Sequence, residues 1–137
     1  MPEEIIAKDK FGQIVYYDEW NALELKWLRS TADASDADLK ASMELFAEEA
    51  VTRHPHTLIV DTTEFHHACG DRVMQWREAE IIPRYNQAGV TKLAFIANAS
   101  YPGPTVETGA APAPEGPAAF PTGWFKTREA AYQWLAS

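Results

Sequence analysis

Four histidines and one cysteine carry the most evident chemistry of this sequence. His54 and His56 precede an apolar run, and His66, His67 and Cys69 follow it, in the stretch HTLIVDTTEFHHACGDRVMQW at residues 56–76. Imidazoles ligate zinc, and a thiol near a helix start has its thiolate favoured by the helix dipole. Spacing keeps the two histidine pairs apart. A strand over residues 57–61 rises roughly 3.3 Å per residue and separates the pairs by about 20 Å, several times the reach of one ion with bonds near 2 Å. Taken alone, His54-Pro55-His56 has the i, i+2 spacing by which one strand face chelates zinc, but it closes an acidic helix where an imidazolium also complements the dipole. His66 and His67 are adjacent and point to opposite sides of an extended chain, so either can join Asp61, Glu64, Cys69 or Asp71 in a folded loop. One reading is therefore a small hydrolase or metal-dependent enzyme using Asp61, His66, His67 and Cys69 beneath the loop at 98–119. It requires those side chains to converge, and the sequence assigns Cys69 no partner acid or oxyanion donor. The plainer reading is a polar loop entering a helix, with no metal, cofactor or catalytic residue.

The elements that position these residues follow from periodicity. EIIA (4–7), QIVYY (13–17) and ALELKWL (22–28) predict a three-stranded antiparallel meander, with Leu23, Leu25 and Trp27 on one face at period two. Ser35 with Asp38 three residues later predicts a capping box. It opens a helix whose Leu39, Met43, Phe46 and Ala50 form an apolar stripe. TLIVD (57–61) is a continuous apolar run, as expected of a parallel strand covered on both sides. A second helix is predicted from Gly70 or Asp71 to a glycine cap at Gly89, with a kink or restart at Pro83. TKLAFIA (91–97) is the next strand, AFPTGWF holds a short one, and Thr127 opens a last helix, TREAAYQWL. Residues 98–119 hold five Pro and three Gly in 22 positions and predict a long loop. The order gives one α/β domain over residues 1–137, its mixed sheet passing from an antiparallel meander to parallel strands through crossover helices.

Composition narrows the partners. Twelve basic against twenty acidic side chains give a formal charge of -8 with no Lys/Arg cluster, which argues against nucleic acid and anionic membrane as partners. The single cysteine forms no internal disulfide. The N-terminal MPEEIIAKDK lacks the basic start and apolar core of a signal peptide, so a cytoplasmic location is expected. The longest apolar runs fall well short of the ~20 residues that span a bilayer.

Several segments together carry a resemblance. They are ALELKWLRS before a capped helix, HTLIVDTTEF before a helix containing QWREAEIIPRYNQAGVTKLAFIA, and a closing WFKTREAAYQWL. The chain resembles the SpoIIAA-like family, a branch of the STAS/SEC14-type domains, over nearly its whole length except 98–119, with Trp27, Asp61, Trp76, Gly89, Ala94 and Trp134 as anchors. The resemblance implies a small cytoplasmic regulatory or ligand-binding module, often dimeric, with no established chemistry. Anti-anti-sigma members of the wider STAS group carry a phosphorylatable serine in an Asp-Ser-Ser-Gly turn after the strand that corresponds to LIVD. Here that place reads HHACGD, so no residue inherits the phospho-switch.

Two sets of binding residues are expected. Ligands of open α/β sheets collect beyond the carboxyl ends of the parallel strands. Those ends are Ser30 and Thr31, then Asp61, Thr62 and Thr63, then Asn98 and Ser100, each of which also suits a turn or a helix cap. On the second helix, Val73, Trp76, Ala79 and Pro83 form one stripe and Met74, Ile81 and Tyr85 another. One flank is expected on the sheet; the stripe of Met74, Ile81 and Tyr85 is either swallowed by a wider core or exposed, and with the resemblance the exposed reading is preferred, as the face of a homodimer or the seat of an apolar small molecule or protein partner.

Overall fold

The computed structural model describes residues 3–66, 71–96 and 119–136. Glu3–Lys8 (β1), Gly12–Tyr17 (β2) and Ala22–Trp27 (β3) form the antiparallel meander. Thr57–Asp61 (β4), Lys92–Ile96 (β5) and Thr122–Phe125 (β6) extend it in parallel. The result is a six-stranded mixed sheet in the order β1-β2-β3-β4-β5-β6, an α/β fold of the kind the element order predicts. All five residues of β4 are buried, as a central strand covered on both faces requires.

Helix α1, Asp36–Arg53, starts at the predicted capping box: the Ser35 hydroxyl accepts from the Asp38 amide at 3.1 Å, and the Asp38 carboxylate accepts from the Ser35 amide at 2.9 Å. Its predicted stripe, Leu39, Met43, Phe46 and Ala50, is buried against the sheet. Each such large apolar side chain contributes about 1.5–3 kcal/mol on leaving water. His54 ends the helix in the left-handed conformation at φ 50, with its ring Nδ1 at 3.0 Å from the Ala88 carbonyl oxygen.

The second helix departs from the expected pattern in one respect. It comprises α2 (Asp71–Trp76), a π turn (Arg77–Ile81) and α3 (Ile82–Ala88), ending at Gly89 with φ 84 as predicted. The Ile82 amide donates to the Arg77 carbonyl, five residues back. A π turn takes in one residue more than an α turn, so everything after it is rotated by about 100° relative to a continuous α-helix. Ile81 (0% exposed) and Tyr85 (3%) thereby join Val73 in the core, while Ala79 and Pro83 face outward. The expectation of Ile81 and Tyr85 as an exposed partner face is therefore corrected. The side chain of Met74, the third member of that stripe, lies outside the described residues. Pro83 stands in the first turn of α3, directly after the π turn, which is the interruption found where a kink or restart is predicted. Trp76 is half-buried against the same core, with the Lys40 ammonium 5.4 Å from its ring.

Helices α1 and α3 share one face of the sheet. The other face is covered by α4, Arg128–Ala136, whose start is capped by the Thr127 hydroxyl accepting from the Ala130 amide. Beneath α4 lies a smaller core of Val15, Tyr17, Ala22, Ile59, Ala94, Ile96 and Phe125, into which the helix inserts Ala131 and Leu135.

Candidate functional site

On the α4 face, strand register assembles an unusual set of groups. Glu24 of β3 pairs with Val15 of β2 and Ile59 of β4, and Lys26 pairs with Asp61. Since alternate residues share a face, Glu24 and Asp61 project to the same side of the sheet as diagonal cross-strand neighbours. Both are buried, at 1% and 4% exposure. Two carboxylates at such depth require compensation, and Arg128 at the start of α4 supplies it. Its Nη1 donates to Glu24 Oε1 at 2.9 Å, and its Nη2 donates to Glu24 Oε2 at 2.5 Å and to Asp61 Oδ2 at 2.7 Å. The fork-shaped guanidinium matches this geometry, grasping Glu24 with both nitrogens while spanning to Asp61.

Two phenols complete the network. The Tyr17 hydroxyl donates to Glu24 Oε1 at 2.5 Å, and the Tyr132 hydroxyl accepts from Arg128 Nη1. Burial first, and then the charge of Glu24, push the Tyr17 phenol far above its ordinary value, so it stays a protonated donor. The Glu24 hydrogen bond, acting against desolvation, holds the Arg128 guanidinium more firmly protonated still. Tyr17, Trp20 and Tyr132 pack as tilted and edge-to-face aromatic pairs, with centroids 4.8–6.5 Å apart.

Two clefts flank Tyr132. One, of about 210 Å³, is lined by Ile5, Gln13, Val15, Tyr17, Glu24, Lys26, Arg128 and Tyr132, which makes it polar and charged. The other, of about 470 Å³, is lined by Trp20, His56, Thr57, Tyr132, Leu135 and Ala136. Its walls are mainly aromatic and aliphatic.

The carboxyl-end residues expected to bind a ligand are engaged with the chain itself. Ser30 donates to the Lys10 carbonyl. The Thr31 hydroxyl donates to the Leu28 carbonyl and accepts from the His66 amide. The Thr62 amide and hydroxyl both donate to the Ile96 carbonyl, at 2.8 and 2.6 Å. Asp61 Oδ1 accepts from the Thr63 amide and hydroxyl, leaving Oδ2 for Arg128. Asn98 and Ser100 lie outside the described residues. So do His67 and Cys69. His66 is exposed, and Phe65 beside it packs on Trp27 in the α1-side core, whereas Asp61 is turned to α4. Among the described residues, no three His, Cys, Asp or Glu gather as a metal centre. Among them too, no helix is long and apolar enough to cross a membrane.

Sequence reasoning did not find Tyr17, Glu24, Arg128 or Tyr132. Two signals pointed to them. Glu24 sits mid-strand beside a buried neighbour, so a helix covering that face would bury it. Arg128 occupies the first turn of a helix, where the dipole disfavours a cation, so a local anion is implied.

Fold and site together define an α/β protein with a six-stranded mixed sheet and, under its last helix, two buried carboxylates bridged by an arginine whose side chain is 35% exposed. No family model, curated protein or solved structure matches the chain.

Proposed function

We propose that this chain is a non-enzymatic regulatory or small-ligand-binding module of the SpoIIAA-like, STAS/SEC14-type kind, acting in the cytoplasm as a homodimer without a phospho-serine switch. One observation carries the reading: the buried acids are held by the chain's own donors. Glu24 accepts from Arg128 Nη1 and Nη2 and from Tyr17, and Asp61 from Arg128 and from the Thr63 amide and hydroxyl, which takes up most of the roughly four lone-pair positions of each carboxylate. A general base must reach the proton it removes, and these carboxylates are already committed to fixed donors. Such a network holds α4 against the sheet and shapes the clefts beside Tyr132 in advance, which favours binding over chemistry. The dimer surface in this reading is the outer edge strand β1, whose Ile5 is 55% exposed, in place of the buried Ile81 and Tyr85.

Native mass spectrometry of gently purified protein tests the proposal. The expected species is twice the 15.3 kDa chain, carrying a retained small molecule. A bare monomer across a range of concentrations would overturn it. Ile5→Lys is expected to shift the equilibrium to monomer while leaving the fold unchanged.

A further inference from the structure

The ligand-binding reading leaves open which cleft is used and for what, and one buried atom bears on both. Thr57, at the start of β4, is 3% exposed, and its hydroxyl has no hydrogen-bond partner. A buried hydroxyl without a partner is uncommon in a folded protein, because it gives up its bonds to water for nothing. This threonine lines the 470 Å³ cleft, together with Trp20, Tyr132 and Leu135. The Trp20 and Tyr132 rings meet edge to face at 4.8 Å and 82°, forming a stiff aromatic corner. The volume falls within the range of small-molecule sites, which pair apolar walls with a few placed polar groups. Rotation about the Thr57 Cα–Cβ bond carries the hydroxyl among three staggered wells, so a donor bound in the cleft that Thr57 lines can draw the oxygen toward it. The last turn of α4, Leu135 and Ala136, borders the same space, and the negative end of a helix favours hydrogen-bond donors.

We infer that the cleft between Trp20, Thr57 and Leu135 binds a planar apolar small molecule bearing one hydroxyl or amine donor, with the Thr57 hydroxyl as its polar anchor. This deepens the ligand-binding reading. The probe is 2-naphthol, with naphthalene as the control lacking the donor, followed by NMR on the full chain. 2-Naphthol is expected to shift the Trp20 indole and Thr57 amide resonances. Thr57→Val should weaken 2-naphthol about 5- to 10-fold while leaving naphthalene unchanged, and Thr57→Ser should restore binding. Trp20→Ala, at a half-buried wall, should weaken both. Absence of shifts at Trp20 and Thr57, or equal affinity of wild type and Thr57→Val for 2-naphthol, overturns the inference. A dimer that retains a ligand yet ignores 2-naphthol defeats only this site. A bare monomer that binds 2-naphthol through Thr57 defeats only the module reading.

Discussion

The two faces of the sheet are built on different principles. Against α1 and α3, the sheet buries a broad apolar cluster that includes Leu39, Phe46, Leu58, Phe65, Tyr85 and Phe95. Against α4, the apolar cluster is smaller and adjoins Glu24, Asp61 and Arg128, with clefts on either side of Tyr132. Packing accounts for most of the first face, where Trp27 Nε1 is also buried without a partner among the described residues. The second spends part of its interior on charges that an apolar core of the same shape would not need, and buried ion pairs of this kind seldom add net stability over apolar replacements. Under the proposed ligand-binding reading, one face serves stability and the other recognition.

The largest test of this division sets one substitution on each face. Phe46→Ala leaves a cavity in the apolar cluster and is expected to lower stability by about 3–5 kcal/mol. Arg128→Met strands two buried carboxylates and is expected to lower it by a comparable ~3–5 kcal/mol. The two should part on neutralising the acids. Adding Glu24→Gln and Asp61→Asn to Arg128→Met should recover stability by removing the unpaired charges, whereas the same pair added to Phe46→Ala should not. If the two acid replacements act alike in both backgrounds, the α4 face is an ordinary core.

Tyr17 sharpens the contrast within the α4 face. Tyr17→Phe removes a buried hydrogen bond to a charged acceptor, worth about 1.5–3 kcal/mol near neutral pH. The phenol's folded value lies above its unfolded value of about 10, chiefly through burial. This contribution is therefore fully present below about pH 10 and is lost as pH rises beyond it, because the unfolded chain ionises first. Alkaline titration of stability should show a steep fall in wild type and a shallower one in Tyr17→Phe. A smaller effect of opposite sign is expected at Thr57. Replacing the orphan hydroxyl with the methyl of Thr57→Val should raise the unfolding free energy by about 1 kcal/mol even as it weakens the ligand.

The same division explains what could be read from the sequence. The apolar face rests on local regularities: the alternation of Leu23, Leu25 and Trp27, the stripe from Leu39 to Ala50, the continuous run TLIVD, and the glycine at 89. Each is visible within a few residues. The network joins Glu24 to a partner 104 positions away, and no local period announces that pairing. Alternation in ALELKWL places Glu24 opposite the leucines but is silent on whether that face is covered. The π turn was hidden for a related reason. Periodicity assumes a constant advance per residue, and one extra residue between Trp76 and Ile82 rotated Ile81 and Tyr85 into the core. Only Pro83 hinted at the break.

The smallest prediction compares the two helix starts. Helix α1 opens with Asp36 and Asp38, acids that suit the positive end of the dipole, whereas α4, capped by Thr127 and carrying Glu129, also sets Arg128 against it. The start of α1 should thus depend less on the sheet than that of α4. Ser35→Ala removes one half of the capping box and is expected to lower stability by about 1 kcal/mol. Asp38 is held below its ordinary value near 3.8, first by the Ser35 amide and then by the Ser35 hydroxyl. Its contribution is present above that ordinary value and is lost as pH falls through the lower folded value. Because Ser35→Ala keeps the backbone amide, the acid limb should shrink without disappearing, and the loss should be similar in Ser35→Ala/Arg128→Met as in Ser35→Ala alone. Additivity in that double variant, measured by urea unfolding, would show that the two faces are energetically separate. A coupling above about 0.5 kcal/mol would mean that the network reaches through the sheet to α1, and the division between a stabilising and a recognising face would have to be withdrawn.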